Sequence, residues 1–388
     1  MLPLSHSFFL IKIGKPNMNL FELRGKLTKG QTLTLGLAGF VLLVLFWWLL
    51  AELKSVQKPI VEGYNTQLPS SIGADEATQK LRDSLLLVDS LAYANATEFE
   101  KIYPSIPPPL HVIQSFPSLI KDDDLLKNTW QSIWLNIRGY FWAVLISLVF
   151  GFIIGLVPLF RGLLSGQVDA LRYLPLTALV GLFIAWFGID DGMKIAFLAF
   201  GIIIFLLPVV AQRIDEVKDV YLKTVFTLGA TDWETIKTVY IPSVMSRLMD
   251  DIRVITAISW TYIIIAELLN QQGGIGAMIH SKAKYGQMDR VFAILIVIIF
   301  IGFLQDKLFV YFDRKLFPHK YRKTHVAGIV ESQYGIMVIL ILVSVALFLI
   351  SIFSGLTSAM NLMMIIATIA GILMMIYGEF KLRGASTE

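Results

Sequence analysis

Apolar runs of helical length recur along this chain, separated by short charged stretches, and together they supply its list of elements. Residues 33–53, 130–160, 174–187, 193–210, 252–269, 291–310, 334–354 and 358–377 are rich in Leu, Ile, Val, Phe, Ala and Met. About 20 apolar residues carry a helix across a bilayer core of about 30 Å, and several of these runs approach or exceed that length. The pattern predicts eight spanning helices, six forming a unit and two appended after it. Trp47 and Trp48 stand near the far end of the first run as interfacial anchors. Residues 54–127 hold no apolar run long enough to span and read as an exterior loop. Within that loop DEATQKLRDSLLLVDSLAYA is predicted helical with its leucines on one face, and IYPSIPPPL is held extended by its prolines.

A different pattern occupies residues 217–242, VKDVYLKTVFTLGATDWETIKTVYIP. Val217, Tyr221, Val225 and Leu228 recur at three- and four-residue spacing, which lines them along one helix face. Gly229 follows where a helix commonly ends in a left-handed residue. Thr231 and Glu234 have the spacing of a capping box, so a second helix starts there. Trp233, Ile236 and Tyr240 form its apolar stripe, and Pro242 is expected to stop it near Ile241. The prediction is helix, glycine elbow, short helix, proline stop. By pattern alone, an amphipathic hairpin lying on a membrane surface looks the same.

Composition agrees with a membrane protein: of 388 residues, 56% are hydrophobic and 16% charged, and mean hydropathy is +0.68. The net charge of +4 is distributed as a topology signal, not as a nucleic-acid patch. Lys12, Lys15, Arg24, Lys26 and Lys29 face a single acid, Glu22, before the first run. Residues 305–331 hold six bases against three acids, and Lys381 and Arg383 follow the last run. By the positive-inside rule both termini are cytoplasmic. Translation can start at Met1 or at Met18. The patch SFFLIKI is broken by a lysine and lacks a small-residue cleavage site, so no removed signal peptide is expected. The exterior stretch from Glu52 to Lys127 is acidic, eleven acids against seven bases.

Several chemistries drop out. There is no cysteine, which excludes disulfides, thiolate catalysis and Cys-ligated metals. His6, His111, His280, His319 and His325 are scattered without ligand spacing, so no metal site is expected. Asp122, Asp123 and Asp124 could form a cation site, but three carboxylates before a helix more often serve its dipole. No nucleotide-binding glycine loop is present, since Gly25–Lys26 lacks both the preceding glycine and the following hydroxyl residue. No catalytic constellation appears, and an enzyme is not expected.

At residues 107–318 the chain resembles the permease subunit of a type I ATP-binding-cassette importer of the nitrate, sulfonate, taurine and bicarbonate group. Gly229, then Val239, Tyr240, Ile241 and Pro242, match the spacing of that family's cytoplasmic signature. SIPPPLHVIQSF, LPLTALVGLFIAWFGIDDGMKIA, Arg253 eleven residues after Pro242, AELL and GGIG match in the family's order. One departure stands out: Lys223, Thr224 and Val225 occupy the place of Glu-Ala-Ala, so a base replaces the acid.

The resemblance implies an all-α membrane protein with a permease core of six transmembrane helices plus two extra C-terminal ones. It divides the chain into a cytoplasmic N-terminus (1–32), a first transmembrane helix (33–53), an exterior loop (54–127), and a permease core (128–318) with a cytoplasmic coupling loop (211–250). A cytoplasmic linker (319–333), a two-helix hairpin (334–377) and a cytoplasmic tail (378–388) follow. The implied partners are cytoplasmic ATPase subunits holding ATP and Mg, an exported solute-binding protein, and a second permease subunit in a homodimer; this chain itself needs no cofactor. Lys223, Gly229, Ala230, Thr231, Asp232, Trp233, Glu234, Ile241 and Pro242 are the expected ATPase-coupling residues. Arg253, Ser259, Trp260, Thr261 and Glu267 are candidates for the translocation path, because a charge in mid-membrane costs on the order of 3 kcal/mol and often faces a cavity. Interfacial solvation of the charges, or bonding of Ser and Thr to neighbouring helices, explains the same residues. An anionic solute is consistent with the family. Two other functions fit parts of the pattern: a gradient-driven secondary transporter using Glu267 as proton carrier, and a non-transporting membrane anchor or assembly protein.

Overall fold

The computed structural model describes residues 27–59, 76–95, 99–270, 273–321, 329–352 and 357–385. The basic stretch before residue 27, part of the exterior loop, Gln271 and Gln272, residues 322–328 of the linker, the turn at 353–356 and the last three residues lie outside them. The chain forms two units, residues 1–111 and residues 112–388.

In the first unit, α1 (Lys29–Leu53) starts at a capping box between Thr28 and Gln31 and is apolar on every face, as a helix solvated by lipid must be. Beyond it stand β1 (Val56–Pro59), α2 (Glu76–Asn95) and β2 (Phe99–Ile102). β1 and β2 pair antiparallel with Val56 opposite Ile102, and Glu52 at the end of α1 takes the Lys101 ammonium and the Tyr103 hydroxyl. The ribbon is a departure from the loop expected here: its strands are four residues each, too short for alternation to show.

The second unit is helical. After α3 (Pro109–Lys121), α4 (Leu125–Leu156) runs for 32 residues and packs along α7 (Asp191–Asp215). The GFIIG stretch explains how closely: a Cβ on Gly151 would lie 2.6 Å from Val210 Cβ, and one on Gly155 2.5 Å from Ile214 Cδ1. Small residues four apart let membrane helices approach when no hydrophobic force separates them from lipid. Between these two helices lie α5 (Pro158–Leu171), a 3-10 turn (Leu176–Leu179) and α6 (Val180–Phe187).

This corrects two expectations. The charged stretch between the second and third runs, around Arg161 and Arg172, is not a mere connection but a 14-residue helix, and 174–187 is no straight span, because α5 and the 176–187 segment meet at 95°. Twelve residues of helix reach only about 18 Å. Pro175 sits at the break and cannot continue the preceding helix. Leu176, Val180 and Phe183 fold back onto Met193, Phe197 and Ile204 of α7 to make an apolar core.

α8 (Asp219–Thr227), α9 (Asp232–Thr235) and a π-helical segment (Ile236–Tyr240) lead into α10 (Ile241–Asn270), followed by α11 (Ile275–Lys284) and α12 (Met288–Leu316). Then come α13 (Ile329–Ile352) and α14 (Thr357–Ala385). Six described helices are long and apolar enough to cross a bilayer: α1, α4, α7, α12, α13 and α14. The bent pair is a seventh candidate. α10 has the length, at 30 residues, but carries Asp250, Asp251, Arg253 and Glu267.

The last two helices pack on the bundle. Ala346 and Leu347 of α13 and Met364 of α14 bury against Trp134 and Phe141 of α4, and Trp142 Nε1 donates to Ser351 Oγ at 3.2 Å.

Candidate functional site

The predicted elbow is present in detail. α8 ends with Leu228 as its cap, and Gly229 turns the chain at φ +80°. The Gly229 amide donates to the Phe226 carbonyl (3.0 Å) and the Ala230 amide to the Val225 carbonyl (3.2 Å). These are the two bonds of a Schellman closure, and they satisfy carbonyls that a helix end leaves bare. A Cβ on Gly229 would meet nothing within 4 Å, so glycine is needed for its backbone conformation, not for space. Thr231 then caps α9: the Glu234 amide donates to Thr231 Oγ1 at 3.3 Å, and the Thr231 amide donates to Glu234 Oε2 at 2.8 Å. That backbone bond, helped by the Thr231 hydroxyl, holds the Glu234 carboxyl below its ordinary range.

Pro242 behaves differently from expectation. The chain stays helical from Asp232 into α10 with no stop, and Pro242 sits inside the helical run. A proline lacks the amide for its own bond and its ring crowds the carbonyl four residues back. The π segment accommodates both, since Ile241 donates to Ile236, five residues back, and the wider turn makes room for the ring.

The tip of this hairpin is apolar and open. Leu228 is 81% exposed, Val220 and Trp233 68%, and Tyr221 and Phe226 just over half. Lys223, Thr231 and Asp232 are exposed beside them, as are Ile241 and Pro242 at the return, while Ala230 is half-buried.

Its base is charged and pinned. Arg213, in the last turn of α7, grips Asp251 of α10 with two nitrogens (2.7 and 2.8 Å) and Glu216 with a third (2.7 Å). Arg247 reaches the same Glu216 carboxylate at 2.9 Å and its carbonyl at 3.2 Å. Asp215 takes Arg161 of α5 at 2.5 Å. Forked guanidinium–carboxylate pairs fix angle as well as distance, so both strands of the hairpin leave from one braced platform. The Glu216 carboxyl lies below its ordinary range, chiefly through Arg213 and then Arg247. Nothing local marks this platform in sequence, since its bonded pairs lie up to 54 positions apart.

The five path candidates are not brought together. Arg253 pairs with Asp306 of α12 at 2.5 Å. Ser259 is fully buried, donating to the Thr256 carbonyl (2.7 Å) and Asn136 Oδ1 (3.1 Å), and Trp260 donates to Gln305 at 2.8 Å. Thr261 alone is exposed, on a stripe with Val254, Ala257 and Ile258.

Glu267 is fully buried in a clasp. It accepts from Ser132 Oγ at 2.6 Å and from the Gly276 amide at 2.9 Å, while Ser132 accepts from Ile275 (2.8 Å) and Asn128 from Gly274 (2.9 Å). Three successive amides at the start of α11, which a helix cannot satisfy itself, are thus each held by a side chain. Ser132 and Asn128 were invisible as partners in sequence. Their spacing of four residues is the only signal, and it is a common one. The Asp122–Asp124 cluster also resolves: Asp123 pairs with Lys282 (2.5 Å) and Arg290 (2.8 Å), and Asp124 caps α4 without a side-chain bond.

Residues 112–318 match the family described as binding-protein-dependent transport system inner membrane component. The chain belongs to that family. The hairpin, its platform and the Glu267 clasp all fall inside the matched part of this permease, whereas α13 and α14 lie beyond it. Among its relatives, the taurine transport system permease protein TauC of Escherichia coli (strain K12) is 26% identical over 218 residues, 55% of this chain and 79% of TauC. SsuC of Bacillus subtilis (strain 168), named for aliphatic sulfonates transport, is 28% identical over 214 residues, 54% of this chain and 76% of SsuC. Among solved structures, the inward-facing MetNI methionine ABC transporter aligns with TM-score 0.45 and 17% identity, covering 49% of this chain and 94% of that one. By its family and its six apolar helices, the permease is a multi-pass inner membrane component of an ABC importer.

Proposed function

We propose that two copies of this chain line the solute pathway of the importer, and that residues 216–242 take up the movement of a separate ATPase holding ATP and Mg. The observation that carries this reading is the contrast within the hairpin: an exposed apolar tip, unusual on a monomer surface and suited to a protein partner, stands on a platform of forked ion pairs. A capped, pinned helix transmits a push that a loose loop would dissipate. The exposed face of α10, Val254, Ala257, Ile258 and Thr261, then faces the second copy or the path. In this arrangement the hairpin and both termini are cytoplasmic, and an exported binding protein delivers the solute, an organic anion of the sulfonate class in keeping with the names of TauC and SsuC.

Lys223 stands exposed on α8, where the family pattern has an acid, so the ATPase surface opposite it carries negative charge. Reconstitution with the neighbouring ATPase and binding protein in liposomes tests the whole scheme: ATP-dependent uptake of a sulfonate is expected. Lys223→Glu should weaken co-purification of the ATPase by placing like charges together. Undiminished co-purification would remove the charge argument, and absence of any ATPase from the purified wild-type complex would remove the coupling role.

A further inference from the structure

The ends of α12 and α14 enclose two adjoining cavities that share Tyr311 and Glu379. One, of about 350 Å³, is lined also by Arg314, Lys315 and Tyr321. The other, of about 300 Å³, is lined by Ile372, Met375, Ile376 and Phe380. Each is large enough for part of a small-molecule ligand; both walls are mainly apolar, with Pro318, Ile329 and Leu382 completing the first, and only the first adds basic side chains.

In the first cavity most charges are already spent. Lys315 lies 2.5 Å from Glu379, which also accepts from Tyr311 at 3.1 Å. Lys320 and the Tyr321 hydroxyl both go to Asp313. Arg314 is the exception: it is exposed, lies 5.9 Å from the centre of the Tyr321 ring, and has no ion pair among the described residues. The second cavity opens outward, with Phe380 70% and Ile376 47% exposed. Both helices are long and apolar enough to cross the bilayer, and the charged wall falls in the last turn of α12, where such a helix leaves the hydrocarbon. A ligand that satisfies both cavities carries negative charge at one end and a hydrocarbon chain at the other.

We propose that this junction binds an anionic phospholipid, its phosphate on Arg314 and one acyl chain along Ile372, Met375, Ile376 and Phe380. A guanidinium fork matches phosphate oxygens, and basic pockets between membrane helices are suited to anionic headgroups. The lipid would bridge the last matched helix and the hairpin that follows the matched region, so that the added helices bring a lipid site with them.

Native mass spectrometry of the purified full chain tests this, with phosphatidylglycerol, phosphatidylcholine of the same acyl chains, or inorganic phosphate added. Phosphatidylglycerol should be retained over phosphatidylcholine. Arg314→Ala should lower phosphatidylglycerol retention about fivefold, the effect of one basic residue at an anionic surface, and leave phosphatidylcholine unchanged. Ile376→Trp, filling the apolar groove from an exposed position, should also lower it. Equal retention of the two lipids, or full retention by Arg314→Ala, would overturn the proposal. Displacement of phosphatidylglycerol by inorganic phosphate would overturn it too, leaving an anion site with no lipid.

Discussion

Gly229 and Gly274 both hold positive φ, +80° and +93°, but in different surroundings. At Gly229 a side chain meets only the backbone penalty, about 1–2 kcal/mol for an L-residue in the left-handed region. At Gly274 a Cβ would also lie 2.3 Å from the Glu267 carboxyl carbon, displacing a buried group that holds the Gly276 amide. Gly274→Ala should therefore melt well below Gly229→Ala in detergent, and equal melting would refute the clasp. In transport the order reverses. Gly229→Val should uncouple ATP hydrolysis from uptake while Gly229→Asn, which tolerates the left-handed region, retains coupling. The elbow and capping box were legible in sequence because every bond in them spans at most five residues. The partners of Glu267 were not, since Ser132 lies 135 positions away. An acid in an apolar run reads alike whether it faces a path or caps a helix.

The hairpin's elements show where sequence rules stop. A proline was expected to end α9, and the rule behind that expectation is sound for an α-helix; the chain evades it with a π turn, which no local motif announces. With the ring gone, the reason for the wide turn goes too. Pro242→Ala should leave melting nearly unchanged yet weaken coupling, because the tip would rotate on its platform; unaltered coupling would show that the π segment is incidental. Thr231→Ala should cost about 1 kcal/mol through the lost cap. The platform adds a pH dependence of definite sign. The folded-state value of Glu216 is lowered, so its contribution is complete above the ordinary carboxylate range and is lost as pH falls through that lowered value. Melting of Glu216→Gln should approach that of the wild type in acid and fall below it near neutrality.

For the molecule as a whole, composition revealed that the chain crosses a membrane, and the runs at 33–53, 130–160, 193–210, 291–310, 334–354 and 358–377 correspond to α1, α4, α7, α12, α13 and α14. What hydropathy could not separate is a straight span from a bent pair, because both present the same total of apolar residues. Nor could it say what holds the last two helices. Their contact surface answers that: at the crossing of α13 and α14, a Cβ on Gly371 would lie 2.3 Å from Ile339 Cγ1 and 2.7 Å from the Gly335 carbonyl. Lipid offers no hydrophobic drive for such a crossing, so close packing must supply the attraction. Gly371→Leu should force the two helices apart at a cost of about 1–3 kcal/mol. It should also loosen Trp142 from Phe348, whose rings lie 5.7 Å apart. Gly302 on α12, where a Cβ meets nothing within 4 Å, provides the matched control, since Gly302→Leu carries the same change in composition without the crossing. Thermal unfolding in detergent should separate the two variants by several degrees. If they melt together, the hairpin is held by something other than its glycine crossing, namely the α4 aromatics and the Lys315–Glu379 pair to α12.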